Sequence, residues 1–309
     1  MQFDGLPKYR IRGSQDSWDW SDWGKKETED KEVIQAALYY MALKSAREMA
    51  EELGHDADFA WYDERIDSIQ NAFNAKYWTG DYYSSDPGVL QDDRANCLTI
   101  LSGLAAPERY EAIVNNVLIP NHYCSPHFEW MVQLAMCQAG YHEAALERMK
   151  ARYGRQVDMK HLSTLYEMFP IGGTYNHAWN APNTILSQEI AGIAPTQPGW
   201  SEYHILPYLG QLNRVKQVVP SVKGTLSVEM MQQAGSFEMN LVSPVETVAI
   251  VGIPKALGEV AEIKANEVII WKKGEFVGGV RGIQPHGEDA AHIQFKVAPG
   301  TWRIQAFAQ

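Results

Sequence analysis

Apolar residues recur at helical spacing through the first part of the chain. Phe59, Tyr62, Ile66, Ile69 and Phe73 follow one another at steps of 3, 4, 3 and 4 residues, which puts them on one stripe of a helix. The same reasoning predicts helices at about 31–54, 91–104, 107–118, 127–139, 142–153 and 182–191. The turns between successive helices are short, so the pattern predicts helical hairpins with antiparallel neighbours.

Beyond residue 194 the pattern changes to short runs in which apolar and polar residues alternate. Strands are predicted at 203–206, 215–219, 225–230, 237–241, 247–251, 268–271, 293–297 and 302–307. Turn signals such as Lys223-Gly224 and Pro299-Gly300 separate them. The sequence therefore predicts a helical domain over 1–194 and an all-β sandwich over 195–309.

Composition narrows the class of partner. Hydrophobic residues make up 45% and charged residues 21% of the 309 residues, as in a globular protein with two domains. The formal net charge of -11 argues against nucleic acid and anionic membranes, because an acidic surface repels both. The 10 Trp and 15 Tyr suit a carbohydrate partner, whose C–H faces pack on aromatic rings, although large cores use aromatic residues too.

The three cysteines predict no metal site and no disulfide framework. Cys97, Cys124 and Cys137 form no CxxC pair and no zinc-like cluster with histidine. No cofactor is expected. No apolar run approaches the length of a membrane-spanning helix, and the first ten residues lack the apolar region of a signal peptide.

Trp and Asp alternate in a short segment near the N-terminus. Trp18, Trp20 and Trp23 enclose Asp19 and Asp22, so an extended backbone would separate rings from carboxylates. Aromatic platforms beside carboxylates suit a sugar ring, whose hydroxyl groups need acceptors. A Trp-rich packing knot under the helices is an equally open interpretation.

A lone glutamate stands in a long loop predicted over 154–175. Glu167 is flanked by Tyr166, Met168 and Phe169, and apolar surroundings of this kind raise a carboxyl pKa towards the range useful in acid–base catalysis. The alternative is a glutamate that caps or pairs locally.

Asn176, His177 and Trp179 form a third candidate group. The amide and the imidazole offer hydrogen bonds to hydroxyl groups, and the indole offers a ring. A histidine at the start of a helix is, however, commonly structural.

The order of these segments resembles that of the bacterial α-L-rhamnosidases, in their six-hairpin domain and C-terminal β-sandwich. The matching motifs are DWSDW (19–23), TLYE (164–167), YNHAW (175–179), AGIAPTQPGW (191–200) and HILP (204–207). The resemblance covers nearly the whole chain and implies a partial (α/α)6 six-hairpin barrel followed by an antiparallel β-sandwich.

The resemblance also implies an inverting glycoside hydrolase that removes terminal α-L-rhamnosyl residues. An inverting enzyme uses one carboxyl group as the acid and another, roughly 6.5–9.5 Å away, as the base that activates water. By resemblance, Glu167 is the base, His177 binds a sugar hydroxyl and Trp179 lies nearby. The sugar pocket would be lined by Asp19, Trp20, Asp22 and Trp23.

Two departures from the family pattern lead to further expectations. Met168 and Phe169 follow Glu167, where the family continues with Arg and Trp. The family's general acid lies upstream of the Trp-Asp segment, so we expect a fragment whose open half barrel is covered by an N-terminal region of the same enzyme or by a second copy. The parent enzyme would be periplasmic or secreted.

Two alternative functions stay open. One is a carbohydrate-binding protein that keeps the aromatic residues and has lost the chemistry. The other is a different six-hairpin enzyme, such as an unsaturated uronyl hydrolase; the absence of Arg and Lys from the three candidate groups argues against this, because a uronate would favour cations.

Overall fold

The computed structural model describes residues 5–6, 21–160, 164–173 and 181–309. The chain divides into two compact units, Met1–Pro182 and Asn183–Gln309. This division lies ahead of the boundary predicted after residue 194. The difference arises because the backbone before residue 194 bonds within the second unit: Tyr208 N–H donates to Ile190 O at 3.0 Å and Leu206 N–H to Gly192 O at 2.9 Å.

Helices make up the first unit, as the apolar spacing predicts. They are α1 (Lys31–Glu52), α2 (Phe59–Tyr77), α3 (Asp93–Ser102), α4 (Tyr110–Ile113, continued by a wider turn over Val114–Leu118), α5 (Pro126–Gln138) and α6 (His142–Val157). Helix α1 packs on α2 and α3, α3 packs on α5, and α5 packs on α6. Within the described residues, each helix is too short or too polar to span a bilayer.

The buried face of α1 leaves out two of its apolar residues. Val33, Tyr40 and Leu43 are buried, whereas Leu38 and Met49, which an apolar stripe would include, are 45% and 58% exposed. Residues 33, 40 and 43 lie on one side of a helix with 3.6 residues per turn. The buried stripe therefore runs through Tyr40, and Leu38 and Met49 lie outside it.

Helix α6 continues past the glycine at which its end was predicted. The helix runs to Val157, so the predicted loop over 154–175 begins too early. A methyl group built on Gly154 would have nothing within 4 Å, so the residue sits in open space. Glycine weakens a helix without ending it when the flanking residues are packed; here Tyr153 and Gln156 are both buried.

The second unit begins with α7 (Ala181–Ile185), which straddles the division and is continued by a wider turn over Leu186–Ile190, and then forms two β-sheets. The strands are β1 (Ile193–Pro195), β2 (Glu202–Ile205), β3 (Arg214–Ser221), β4 (Gly224–Gln233), β5 (Ser236–Ser243), β6 (Val248–Pro254), β7 (Val260–Ala265), β8 (Val268–Lys272), β9 (Glu275–Phe276), β10 (Ile283–Glu288), β11 (His292–Val297) and β12 (Gly300–Ala308). One sheet has the order β1-β2-β6-β11-β10 and the other β3-β4-β5-β12-β7-β8-β9. All strand pairs are antiparallel except β2 with β6.

Alternate residues of both sheets form one apolar core. Val251 and Ile293 of the first sheet are buried in the same cluster as Leu226, Met239 and Ile304 of the second. Sheets that bury one face each against the other are a β-sandwich. The predicted all-β sandwich is confirmed.

Candidate active site

A cleft of about 280 Å³ lies in the helical unit. Its lining residues are Trp23, Gly24, Lys25, His122, Tyr123, Cys124, Ser125, Arg152, Met168 and Phe169. They come from three segments: the Trp23 loop (residues 21–25), the 122–125 loop before α5, and the base segment (residues 164–173) after α6. Aromatic rings and cationic or neutral donors line the cleft, and none of the described lining residues is a carboxylate.

Trp23 gives the cleft an accessible aromatic surface. The side chain is 39% exposed, and the neighbouring Lys25 fixes the loop, because its N–H donates to Tyr123 O at 2.9 Å. The Lys25 ammonium lies 5.5 Å from the centre of the Tyr123 ring. A ring edge with hydrogen-bond donors beside it matches the C–H face and hydroxyl groups of a sugar.

Asp22 lies beneath this surface rather than on it. It is 2% exposed, and its carboxylate accepts from Gly24 N–H at 2.9 Å, from Ser125 N–H at 2.8 Å and from the Ser125 hydroxyl. An Arg94 nitrogen lies 3.5 Å from the same carboxylate. Protein donors thus surround the oxygens that the predicted sugar contact would use, and Asp22 ties the Trp23 loop to the 122–125 loop.

Gly24 permits this close approach of two loops. A methyl group on its α-carbon would lie 2.1 Å from Tyr123 O and 2.9 Å from the Cys124 α-carbon. Both neighbours are backbone atoms, so a side chain here would force the loops apart.

Glu167 is half-buried in the base segment. Hydrogen bonds from helix α6 hold this segment in place. Gln156, buried on α6, accepts from Tyr166 N–H at 2.9 Å and donates to Pro170 O at 2.9 Å. One side chain thereby holds the backbone on both sides of Glu167. Met168 and Phe169 follow directly and line the same cleft as Trp23.

A tight turn closes over the Glu167 carboxylate. Met168 N–H donates to Gly172 O at 3.1 Å, and a methyl group on Gly173 would lie 2.9 Å from Glu167 Oε2. Gly173 also has a φ of 72°, which side chains rarely adopt. Glycine at this position leaves room for the carboxylate on both counts.

Arg152 of α6 contacts both walls of the cleft. Its guanidinium stacks on Phe169, with 3.9 Å between the central carbon and the ring centre. The same group donates to His122 O at 2.8 Å and to the Cys124 carbonyl. Its Nε lies 3.1 Å from Glu129 Oε2.

Glu129 anchors a buried ion cluster under the cleft. It is fully buried and pairs with Arg148 at 2.7 Å, and Arg148 also pairs with Asp93 at 2.8 Å. Burial opposes the charge, but Arg148 and Arg152 outweigh it and lower the pKa of Glu129 to about 2. Cys124 donates to the carboxylate at 3.0 Å, and burial raises the pKa of its thiol well above the usual range. The thiol is therefore protonated and suits no nucleophilic role.

A second buried cluster joins the starts of α1 and α3. Asp92 caps α3, pairs with Arg94 at 2.7 Å and accepts from Asp30 N–H at 2.9 Å. Asp30 caps α1 in turn. Burial raises the pKa of Asp92 to about 7, against the opposing effect of Arg94. These charges hold helix ends in place and do not line the cleft.

Of the predicted site residues, Trp23 lines the cleft, Glu167 directly precedes two residues that line it, and Asp22 is buried beneath Trp23. Trp23 shares the cleft with the two residues that follow Glu167. Asp19, Trp20, His177 and Trp179 lie outside the described residues.

Several cleft residues were missed by sequence reasoning, among them Lys25, His122 and Arg152. His122 has a lowered pKa, because partial burial and the charges of Arg148 and Arg152 disfavour its protonated form. It is therefore a neutral hydrogen-bonding group at pH 7. The signal for Arg152 lies in its spacing of four residues from Gln156, which puts both on one face of α6.

Two family models match the chain, one in each half. Residues 6–125 match the model described as the bacterial alpha-L-rhamnosidase 6 hairpin glycosidase domain, and residues 192–267 match the bacterial alpha-L-rhamnosidase C-terminal domain. A curated alpha-L-rhamnosidase of Streptomyces avermitilis is 26% identical over 260 residues, which cover 76% of this chain and 24% of that protein.

Solved structures share the fold. The alpha-L-rhamnosidase from Dictyoglumus thermophilum has a TM-score of 0.76 at 20% identity, covering 98% of this chain and 35% of that one. The Streptomyces avermitilis alpha-L-rhamnosidase, solved as a complex with L-rhamnose, has a TM-score of 0.71 at 20% identity, covering 92% and 28%. The chain thus spans about a quarter to a third of the length of these relatives, and the predicted fold class is confirmed.

Proposed function

We propose that this chain carries the general base of an inverting glycoside hydrolase, because residues 6–125 and 192–267 match models of two bacterial α-L-rhamnosidase domains. The substrate is a terminal α-L-rhamnosyl residue on a glycoside or polysaccharide. Glu167 is the base. The chain is a part of the relatives' length, so the rest of the catalytic machinery belongs to the wider enzyme.

The fixed position of the base segment carries this proposal. Gln156 holds the backbone on both sides of Glu167, and the residues that follow it share a cleft with Trp23. Catalysis requires a base that stays within reach of the attacking water while the sugar is held in one orientation. A glutamate on a free loop would not meet this requirement.

In the proposed reaction, the Glu167 carboxylate takes a proton from water as the water attacks the anomeric carbon. The bond to the leaving oxygen breaks on the opposite face, and a second carboxyl group protonates that oxygen. From the resemblance, we expect this acid N-terminal to the Trp23 loop. Trp23 provides the ring for the sugar, and Lys25 and His122 donate to its hydroxyl groups.

The remaining predicted contacts keep the same standing. We propose that Asp19, Trp20, His177 and Trp179 complete the sugar pocket. For Asp22 we propose an indirect contribution, through its bonds to Gly24 and Ser125.

An activated substrate isolates the role of the base. The nitrophenolate of 4-nitrophenyl α-L-rhamnoside is weakly basic and leaves without protonation, whereas the alcohol of methyl α-L-rhamnoside needs the acid, whose contribution is about 10²–10⁴-fold. We expect the chain to release nitrophenol and to leave the methyl glycoside intact. Glu167→Gln should reduce nitrophenol release by at least about 10²-fold while L-rhamnose binding, followed by Trp fluorescence, is kept.

Glu111→Gln is the matched control, because Glu111 is an exposed glutamate outside the cleft. It should leave release and binding unchanged. Proton NMR of the first-formed rhamnose should show the β-anomer if the mechanism inverts. Full activity of Glu167→Gln would disprove the role of the base, and rhamnose binding without any release would favour a carbohydrate-binding protein.

A further inference from the structure

Arg152 stands between the two walls of the cleft. Towards one wall it donates to the carbonyl oxygens of His122 and Cys124, and towards the other it stacks on Phe169. The 122–125 loop is bonded to the Trp23 loop through Asp22, and Phe169 lies two residues beyond Glu167. A single guanidinium therefore connects the sugar-facing wall with the base segment.

The need to neutralise the Glu129 carboxylate does not by itself explain the position of Arg152. Arg148 already contacts both Glu129 oxygens, at 2.7 and 3.0 Å. Arg152 adds an ion pair at 3.1 Å through Nε and directs its two terminal nitrogens at the loop carbonyls. The buried cluster thus holds the Nε end of the guanidinium. The two terminal nitrogens bond the loop carbonyls, and the flat face stacks on Phe169.

The planar shape of the group is what the two contacts require. A guanidinium can donate at its edge and stack with its face at the same time, which an ammonium cannot do. Gln156 lies one turn further along the same face of α6 and fixes the backbone around Glu167. Tyr153 adds a ring contact with Phe169, with 4.9 Å between centres.

We propose that Arg152 is a positioning residue for the general base. It fixes the distance between the 122–125 loop and the base segment, so that the Glu167 carboxylate keeps one orientation towards the bound sugar. Arg152 does not touch the reacting atoms in this role. The inference rests on the proposed function of Glu167 and extends it to the residue that holds the base in place.

Hydrogen exchange tests the positioning without any need for turnover. In the full chain, the amides of Tyr166 and Met168 are protected by bonds to Gln156 and Gly172. Arg152→Met should speed exchange in a peptide covering 164–173 and leave the α3 peptide at 93–102 unchanged. Arg152→Lys should resemble Arg152→Met, because it keeps the charge and loses the planar stack. Arg155→Met, which removes an exposed arginine of the same helix, should change neither peptide.

Kinetics with 4-nitrophenyl α-L-rhamnoside provide the second readout. A displaced base should lower kcat by about 10²-fold and leave KM within about twofold, because misplacement by about 1 Å has an effect of this size. Unchanged exchange at 164–173 in Arg152→Met overturns the inference. Faster exchange in both peptides also overturns the inference, because it would show that Arg152 stabilises the whole helical unit rather than the base segment. Local loss of protection without turnover in the wild-type chain counts against the hydrolase function and leaves the positioning intact.

Discussion

Two residues without side chains decide how closely the cleft segments approach. Gly24 lies against the backbone of Tyr123 and Cys124, and Gly173 lies against the Glu167 carboxylate. At both positions a β-carbon would lie less than 3.0 Å from a neighbouring atom. The approach of these segments is therefore sensitive to single methyl groups.

Gly24→Ala should separate the Trp23 loop from the 122–125 loop. The new methyl group would overlap backbone atoms at 2.1 and 2.9 Å, so we expect a loss of about 1–3 kcal/mol in the free energy of unfolding, together with weaker L-rhamnose binding. Urea unfolding and Trp fluorescence titration measure the two effects.

Gly154→Ala provides the comparison for that variant. Its methyl group would meet nothing within 4 Å inside α6, so it should raise the free energy of unfolding by about 0.5–1 kcal/mol. Equal stability of the two variants would contradict the steric argument.

Helices α5 and α6 are joined by charge as well as by apolar contact. Glu129 of α5 pairs with Arg148 and Arg152 of α6. Its pKa of about 2 lies below the usual 4.5, so the folded state binds its proton less tightly than the unfolded state. The stabilisation by Glu129 is therefore fully present above pH 4.5 and is lost as the pH falls towards 2.

Wild-type protein should lose about 3 kcal/mol of unfolding free energy from this group between pH 4.5 and 2. Glu129→Gln should lack that part of the acid dependence and be about 3–5 kcal/mol less stable at pH 7, because it leaves two buried arginines short of a partner. Urea unfolding across this pH range checks both statements. A carboxyl-carbon NMR titration of wild-type Glu129 gives the pKa directly, and titration near 4.5 would refute the argument.

Apolar spacing predicted the helices well because their buried faces are mainly apolar. It failed to single out Asp92, Asp93 and Arg94, which start α3 and are fully buried. Charged residues at a helix start are normally solvated, and only the partners in other segments make their burial acceptable. Those partners are distant in sequence, so the pattern along one helix cannot reveal them.

Strand β10 was missed for a different reason. β10 carries Pro285 and Gly287, which demote a strand prediction, yet it forms the edge of its sheet, where a missing N–H is tolerated. For the candidate site, the sequence motifs pointed to Trp23 and Glu167. The residues of α6 that hold Glu167 in place became visible only when the fold brought them under the base segment.

At the scale of the whole molecule, the β-sandwich has a core of its own. The residues of the apolar cluster, from Ala191 to Ala306, all belong to the second unit. A closed core of this kind is what allows a domain to fold independently. That an N-terminal region or a second copy covers the helical unit stays a prediction.

Residues 183–309 expressed alone should therefore fold. We expect a β-sheet circular dichroism spectrum and a single cooperative thermal transition. Ile304→Ala, a fully buried position of β12, should lower the free energy of unfolding by about 2–5 kcal/mol. A gradual, non-cooperative melt of the unsubstituted fragment would contradict its independence.

The residues that support the cleft differ from the residues that a ligand would contact. Asp22, Glu129 and Arg148 are buried and bonded on several sides, whereas Trp23 and Met168 are about two-fifths exposed. Substitutions of the exposed residues should therefore change ligand preference with little effect on stability. Substitutions of the buried residues should unfold the helical unit before they change its ligand preference. In a library selected for binding to other sugars, we expect the tolerated substitutions at Trp23 and Met168.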